Sequence, residues 1–259
     1  MFTVVQRDAL RERVRRLGEE DERVVAGAAV GSLAVDGGGD RFSDLDLTFG
    51  IADHVAIAEV LDDWTRTLIG ERDAVHLADL ERSPTIYRVF LLPDALQFDL
   101  SMTPAAQFRP AGPRFRLLFG ETAADAPKGS TPRAAPGLFI PTPALPHDLF
   151  GWGVIYALHA RSCIERGRVW QAEHYVEAVR DHALSLACLR EGVTAVQARG
   201  YDDLSAETLA RFDDAHVGAT EPELLRTALA ASLLALMREG AEARLPHADV
   251  VAQRLAELH

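Results

Sequence analysis

Five residues in the first hundred could do chemistry together: Gly31 and Ser32, then Asp44 and Asp46, then Asp99. Gly31-Ser32 closes the apolar run Val24 to Val30. A glycine followed by a hydroxyl lets backbone N–H groups and one side-chain oxygen approach phosphate oxygens closely. Asp44 and Asp46 lie two apart in Ser43-Asp44-Leu45-Asp46-Leu47-Thr48-Phe49. On a strand such residues share a face, while Leu45 and Leu47 take the other. Adjacent carboxylates repel, a cation between them relieves the repulsion, and oxygen-only ligands suit Mg²⁺ or Mn²⁺. Asp99, between Phe98 and Leu100 on a later apolar segment, faces away from the core those two enter. If its strand neighbours that of Asp44 and Asp46, three carboxylates converge. That arrangement holds two metals roughly 3.5–4 Å apart for phosphoryl or nucleotidyl transfer.

In type and order, Gly31, Ser32, Asp44, Asp46 and Asp99 resemble the signature of the DNA polymerase β-like nucleotidyltransferases: Gly-Ser, a spacer, Asp-x-Asp and a distant third Asp. The resemblance implies a nucleoside triphosphate, ATP above all, as co-substrate. It implies two Mg²⁺ or Mn²⁺ ions held by Asp44, Asp46 and Asp99, with Gly31, Ser32 and Asp44 gripping the nucleotide. The reaction implied moves AMP to a hydroxyl of a small acceptor and releases pyrophosphate. Arg72 and Arg88 are candidates for added positive charge against the triphosphate.

These residues need a sheet and a cover, and the patterning predicts an α+β protein with both. Leu10, Val14 and Leu17 recur at helical spacing between Arg7 and Glu20. Strands follow at Arg23 to Val30 and Leu45 to Phe49, with the turn Asp36 to Asp40 between them. Asp53 to Ile69 reads as a helix packed on the sheet. Ala74 to Ala78 reads as a short strand in which His76 is structural. Ile86 to Leu92 and Leu96 to Met102 read as two strands joined at Pro93-Asp94. Phe115 to Phe119 is a short apolar piece. Gly120 to Pro146 has the Ala, Pro and Gly content of a linker and carries the chain's single lysine, Lys128.

From Pro146 onward the pattern is helical: His147 to Glu165, Trp170 to Arg190, Ser205 to Asp214, Glu221 to Glu239 and Pro246 to Leu258. In the fourth of these Leu224, Leu225, Ala228, Leu229, Ser232, Leu233 and Leu236 form an apolar stripe suited to an antiparallel bundle. The expected organisation is a nucleotidyltransferase domain over 1–140 and a helical bundle over 141–259. That layout resembles the aminoglycoside nucleotidyltransferases of the kanamycin type, where a bundle carboxylate can serve as base. On that resemblance Glu173 is the candidate base and Glu177 the second. Asp94, in the first domain, is the alternative. Glu173, Glu177 and Arg180 fall on one helical stripe. Arg168 and His174 also fit loosely the helical HEPN ribonuclease pattern.

The net charge of −12 argues against a general nucleic-acid binder, which needs a basic face. It fits a cationic acceptor such as an aminoglycoside, or an acidic surface of purely compositional origin. Cys163 and Cys188 read as reduced, buried, small apolar residues. The sequence shows neither a signal-peptide core nor a membrane span, so a cytoplasmic protein is expected. The competing class is a module that acts on a protein or tRNA, or a non-catalytic toxin–antitoxin component. The complete aspartate set favours an enzyme.

Overall fold

The computed structural model describes residues 2–36, 38–110, 114–123 and 145–256, and its fold is α+β. Helix α1, Val4–Glu20, starts on a capping box between Thr3 and Gln6 and buries Leu10 and Val14. The strands are β1, Val24–Val30; β2, Leu45–Ile51; β3, Val75–Arg82; β4, Thr85–Leu91; β5, Gln97–Pro104; and β6, Phe115–Gly120. Helix α2, Ile57–Arg72, lies between β2 and β3 and stops at Asp73, whose left-handed backbone ends the helix. The strands form one sheet in the order β3-β4-β5-β2-β1-β6. Within it β2 and β5 run parallel and the other neighbours antiparallel.

The leucine–aspartate alternation of β2 gives the sheet two different faces. Leu45, Leu47 and Phe49 are fully buried with Phe98 and Leu100 of β5 against α1 and α2. Trp64 of α2 meets Phe49 edge-on, with centroids 4.9 Å apart. The other face carries Asp46 and Asp99, and beside them Val75, Leu77, Val89 and Leu91 form a second core with the C-terminal helices. These helices are α3, Pro146–Glu165; α4, Val169–Glu191; the single turn α5, Ala206–Leu209; α6, Pro222–Glu242; and α7, Ala248–Leu255. The bundle is therefore seated on the sheet itself.

Several expectations change in detail. Phe115 to Phe119 is the core of an edge strand, β6, hydrogen-bonded to β1 in antiparallel register. The expected Ser205 to Asp214 helix is a single α-turn followed by 3-10 turns. Leu224 is exposed, because the buried stripe of α6 runs through Leu225, Ala228, Leu229, Leu233 and Leu236. Cys163 and Cys188 are buried and free. The boundary expected at 140/141, most of the linker and Lys128 lie outside the described residues. Among the described residues no helix is long and apolar enough to cross a membrane.

Gly151 sets how close α3 comes to the sheet. A Cβ there would stand 1.9 Å from the Leu77 carbonyl oxygen of β3. Gly151→Ala must push α3 off the sheet, and overpacking of this kind costs about 1–3 kcal/mol. Urea denaturation should show that loss, and an unchanged midpoint would mean that the seat of the bundle is looser than described.

Candidate active site

Register alone brings the first two carboxylates together. Asp46 of β2 stands level with Asp99 of β5 in the parallel pair, so both side chains leave the same face. Asp44 precedes β2 by one residue on that face. One carboxylate oxygen each from Asp44, Asp46 and Asp99 lies within 4.8 Å of the other two. Alongside, β1 is followed by Gly31, which has φ +70° and lies so near that a Cβ would stand 2.3 Å from Asp46 Oδ2. Only glycine fits that position. Ser32 follows at the start of a 3-10 turn, and both residues line a cleft of about 600 Å³ with Asp44 and Asp46.

The segment delivering Asp44 is fixed from two sides. Buried Arg7 of α1 donates from Nη1 to the carbonyls of Asp40 (2.7 Å) and Ser43 (2.9 Å). From the bundle, Arg166 donates twice to the Asp40 carboxylate, at 2.8 Å each. These bonds hold the Asp40 carboxyl well below the usual carboxylate range. Behind the carboxylates, Gln97 Nε2 donates to Asp99 Oδ1 at 2.9 Å and stands 3.4 Å from His159 Nε2. His159 of α3 lies 4.0 Å from Asp44 Oδ2, and burial lowers its pKa despite that neighbour. Gln97 Oε1 is buried with no hydrogen-bond partner.

The three carboxylates are costly as they stand. Burial first, then the charges of Asp44 and Asp99, push the Asp46 carboxyl up to about 9. Burial and Asp44 push Asp99 up to about 7, against the opposing hydrogen bond from Gln97. A divalent cation at this spot would favour the charged carboxylates and so oppose both shifts. The donor set, oxygen-only and negatively charged, fits Mg²⁺ or Mn²⁺.

Two groups of expected residues do not meet this site. Arg88 pairs in register with Leu100 and so leaves the opposite face of the sheet. There it binds Asp79 through Nε (2.8 Å) and Nη2 (2.7 Å), and Asp62 and Thr65 of α2 at 2.9 Å each. It is a structural clamp, and Arg72, at the end of α2, is not among the cleft residues either. On α4 the cleft is lined by Gln171 and Tyr175, while Ala172, Val176 and Val179 are buried in the bundle. Glu173 is just over half a turn from each of the two lining residues, which turns it away from the cleft. Glu177 pairs with Arg180 at 3.7 Å, and Asp94 is exposed and accepts from Gln6 Nε2 at 2.8 Å. None of the three candidate bases lines the cleft. His174 is exposed, and only Arg168 of the Arg168–His174 pair reaches the cleft.

Sequence reading missed Asp40, Gln97, His159 and Arg166. Gln97 had a usable signal, since it stands two residues before Asp99 and shares its face. The other three are brought in by loop and helix packing and carry no local pattern.

No protein-family model matches this chain, and no curated protein matches it. Among solved structures it is similar to the crystal structure of an aminoglycoside 6-adenyltransferase from Bacillus subtilis. The identity is 11%, the TM-score 0.28, and the match covers 94% of this chain and 89% of that one. Likeness at that level transfers neither activity nor substrate. The function has to be argued from the site.

The raised carboxyls have a testable consequence in the metal-free protein. Between the ordinary 3.8 and about 9, Asp46 keeps its proton in the folded chain and loses it in the unfolded one. The folded state then binds more protons, so stability falls as pH rises through that window. In a chelator-treated sample the melting temperature should drop between pH 5 and pH 8 more steeply in the wild type than in Asp46→Asn. Mg²⁺ or Mn²⁺ should restore it, and more strongly at the higher pH. Equal cation stabilisation of Asp46→Asn would remove Asp46 from the metal set.

Proposed function

We propose that the chain is a metal-dependent nucleotidyltransferase that moves a nucleoside monophosphate, AMP from ATP, to a hydroxyl of a small molecule. The observation that carries this reading is the convergence of Asp44, Asp46 and Asp99 beside the Gly31-Ser32 turn, with Asp44 and Asp46 lining one cleft. Three carboxylates with oxygens within 4.8 Å of one another are a good cradle for divalent cations. A turn with φ +70° and a hydroxyl next to that cradle suits phosphate oxygens.

In this reading Asp44, Asp46 and Asp99 would hold two Mg²⁺ ions. When bound, the ions neutralise the triphosphate and acidify the acceptor hydroxyl. Ser32 and the backbone N–H groups after Gly31 orient the triphosphate. The acceptor oxygen attacks the α-phosphorus, the bond from that phosphorus to the bridging oxygen breaks, and pyrophosphate leaves. The hydroxyl proton departs to solvent. Arg7 and Arg166 keep the Asp40–Ser43 loop still, so that Asp44 meets the substrate without rearrangement. Catalysis of this kind is mostly positioning and charge neutralisation.

Asp44→Asn and Asp46→Asn should each cut pyrophosphate release from ATP by about 10²-fold or more, the scale of losing a charge-stabilising group. Their melting temperatures in chelator should not fall, since Asp44→Asn removes a repulsive charge and Asp46→Asn removes a buried carboxyl that folds only by holding its proton. Activity within a few per cent of wild type would overturn the assignment.

Glu173→Gln, Glu177→Gln and Asp94→Asn should each stay within about threefold of wild type, because a true general base is worth 10²–10⁴-fold. A large, pH-dependent loss in one of them would bring that residue back as the base.

A further inference from the structure

The two walls of the cleft differ in charge. Asp44 and Asp46 stand on the sheet side, with Asp99 behind them. The bundle side presents Arg161, Arg166 and Arg168 at the corner between α3 and α4, then Gln171 and Tyr175. Arg114, at the start of β6, adds a fourth guanidinium to the lining. Among the described residues no bundle carboxylate lines the cleft. Glu165 is drawn to Arg226 at 3.3 Å, Glu177 to Arg180 at 3.7 Å, and Glu173 is turned away. Asp40, the remaining acidic residue of the lining, is engaged by both arms of the Arg166 guanidinium.

This distribution answers the question left open by the net charge of −12. The acidic excess is not on the wall that meets an acceptor. With cations held on the sheet carboxylates, a triphosphate balancing those cations and Arg166 engaged with Asp40, the charge left facing the acceptor is that of Arg168 and Arg114. A polyamine there would meet like charge, with no described bundle carboxylate to receive it. A phosphate or carboxylate would meet planar guanidinium groups that bind such anions through paired N–H donors. Arg168 is exposed at the cleft, where its Nη1 donates a long bond, 3.4 Å, to Gln171 Oε1.

We infer that the acceptor is an anionic hydroxyl compound, a small molecule bearing a phosphate or carboxylate group that the α3–α4 arginine corner receives. This rests on the nucleotidyltransferase reading of the same cleft. It replaces the aminoglycoside-like polycation with the opposite charge class.

The test is a transfer assay with labelled ATP and Mg²⁺ against four pools: sugar phosphates, sugar acids, neutral polyols and aminoglycosides. One of the two anionic pools should be labelled at least about tenfold faster than the neutral and cationic pools, and which one responds separates phosphate from carboxylate. Arg168→Gln should raise the acceptor KM about tenfold, a single strong polar contact by the affinity scale, and move the ATP KM much less. Added salt should raise the acceptor KM, since exposed charge pairs are screened. Faster labelling of aminoglycosides or neutral polyols, or equal KM shifts for both substrates in Arg168→Gln, would overturn the inference and leave nucleotidyl transfer standing. Mg²⁺-dependent binding of a non-hydrolysable ATP analogue, measured in parallel, reports on the underlying reading. Absence of that binding, or binding unchanged in Asp44→Asn and Asp46→Asn, would remove both.

Discussion

Everything around the cleft follows from the repulsion among Asp44, Asp46 and Asp99. A sheet that places two carboxylates level on adjacent parallel strands, with a third one step beyond, has no internal means of balancing them. Gln97 gives Asp99 one hydrogen bond, and His159, its pKa lowered by burial, stands 4.0 Å from Asp44. Protonation or a divalent cation can resolve the cluster, and the first is what the raised carboxyls of Asp46 and Asp99 express. Local conflict of this kind marks function, since a sequence selected for stability alone would place apolar or paired residues there.

The same constraint explains the architecture. Parallel pairing of β2 with β5 requires a long crossover, which α2, β3 and β4 supply, and that crossover builds the surface on which the bundle sits. The two faces of the sheet divide the work. One is filled by Leu45, Leu47, Phe49, Phe98 and Leu100 against α1 and α2. The other holds the carboxylates, and α3 closes over its β3–β4 half because Gly151 lets the helix come against the Leu77 carbonyl.

Most of the sheet, and all three carboxylates, were legible in the sequence because strand periodicity is local. Leu45-Asp46-Leu47 and Phe98-Asp99-Leu100 declare their own faces. The same rule condemned Arg88, and the parity was there to be read: it lies an odd number of residues from Val89 and Leu91, which enter the carboxylate-side core. What sequence could not supply was the angular setting of α4. The stripe Glu173, Glu177, Arg180 is real as a stripe, yet which stripe faces the cleft depends on how α3 and α6 pack around it. Buried Ala172, Val176 and Val179 decide that, and they leave Gln171 and Tyr175 toward the cleft. Expecting a carboxylate on a polar helix to face the site gave weight to charge where packing set the direction.

The loop from Asp40 to Ser43 shows why the bundle matters to the carboxylates at all. Asp44 lies one residue before β2, so no strand hydrogen bond of the sheet register holds it as Asp46 and Asp99 are held. Its position comes from the preceding loop, and that loop is gripped by Arg7 through two carbonyls and by Arg166 through the Asp40 carboxylate. Ser43 completes the turn by accepting from the Asp40 N–H at 2.9 Å. An arginine from α1 and another from the end of α3 therefore meet on one segment, joining the first helix, the loop and the bundle. Arg166 belongs to the basic corner of the cleft as well. A single guanidinium thus couples the loop that sets Asp44 to the basic wall of the cleft, and the carboxylate cluster cannot be treated as a property of the sheet alone.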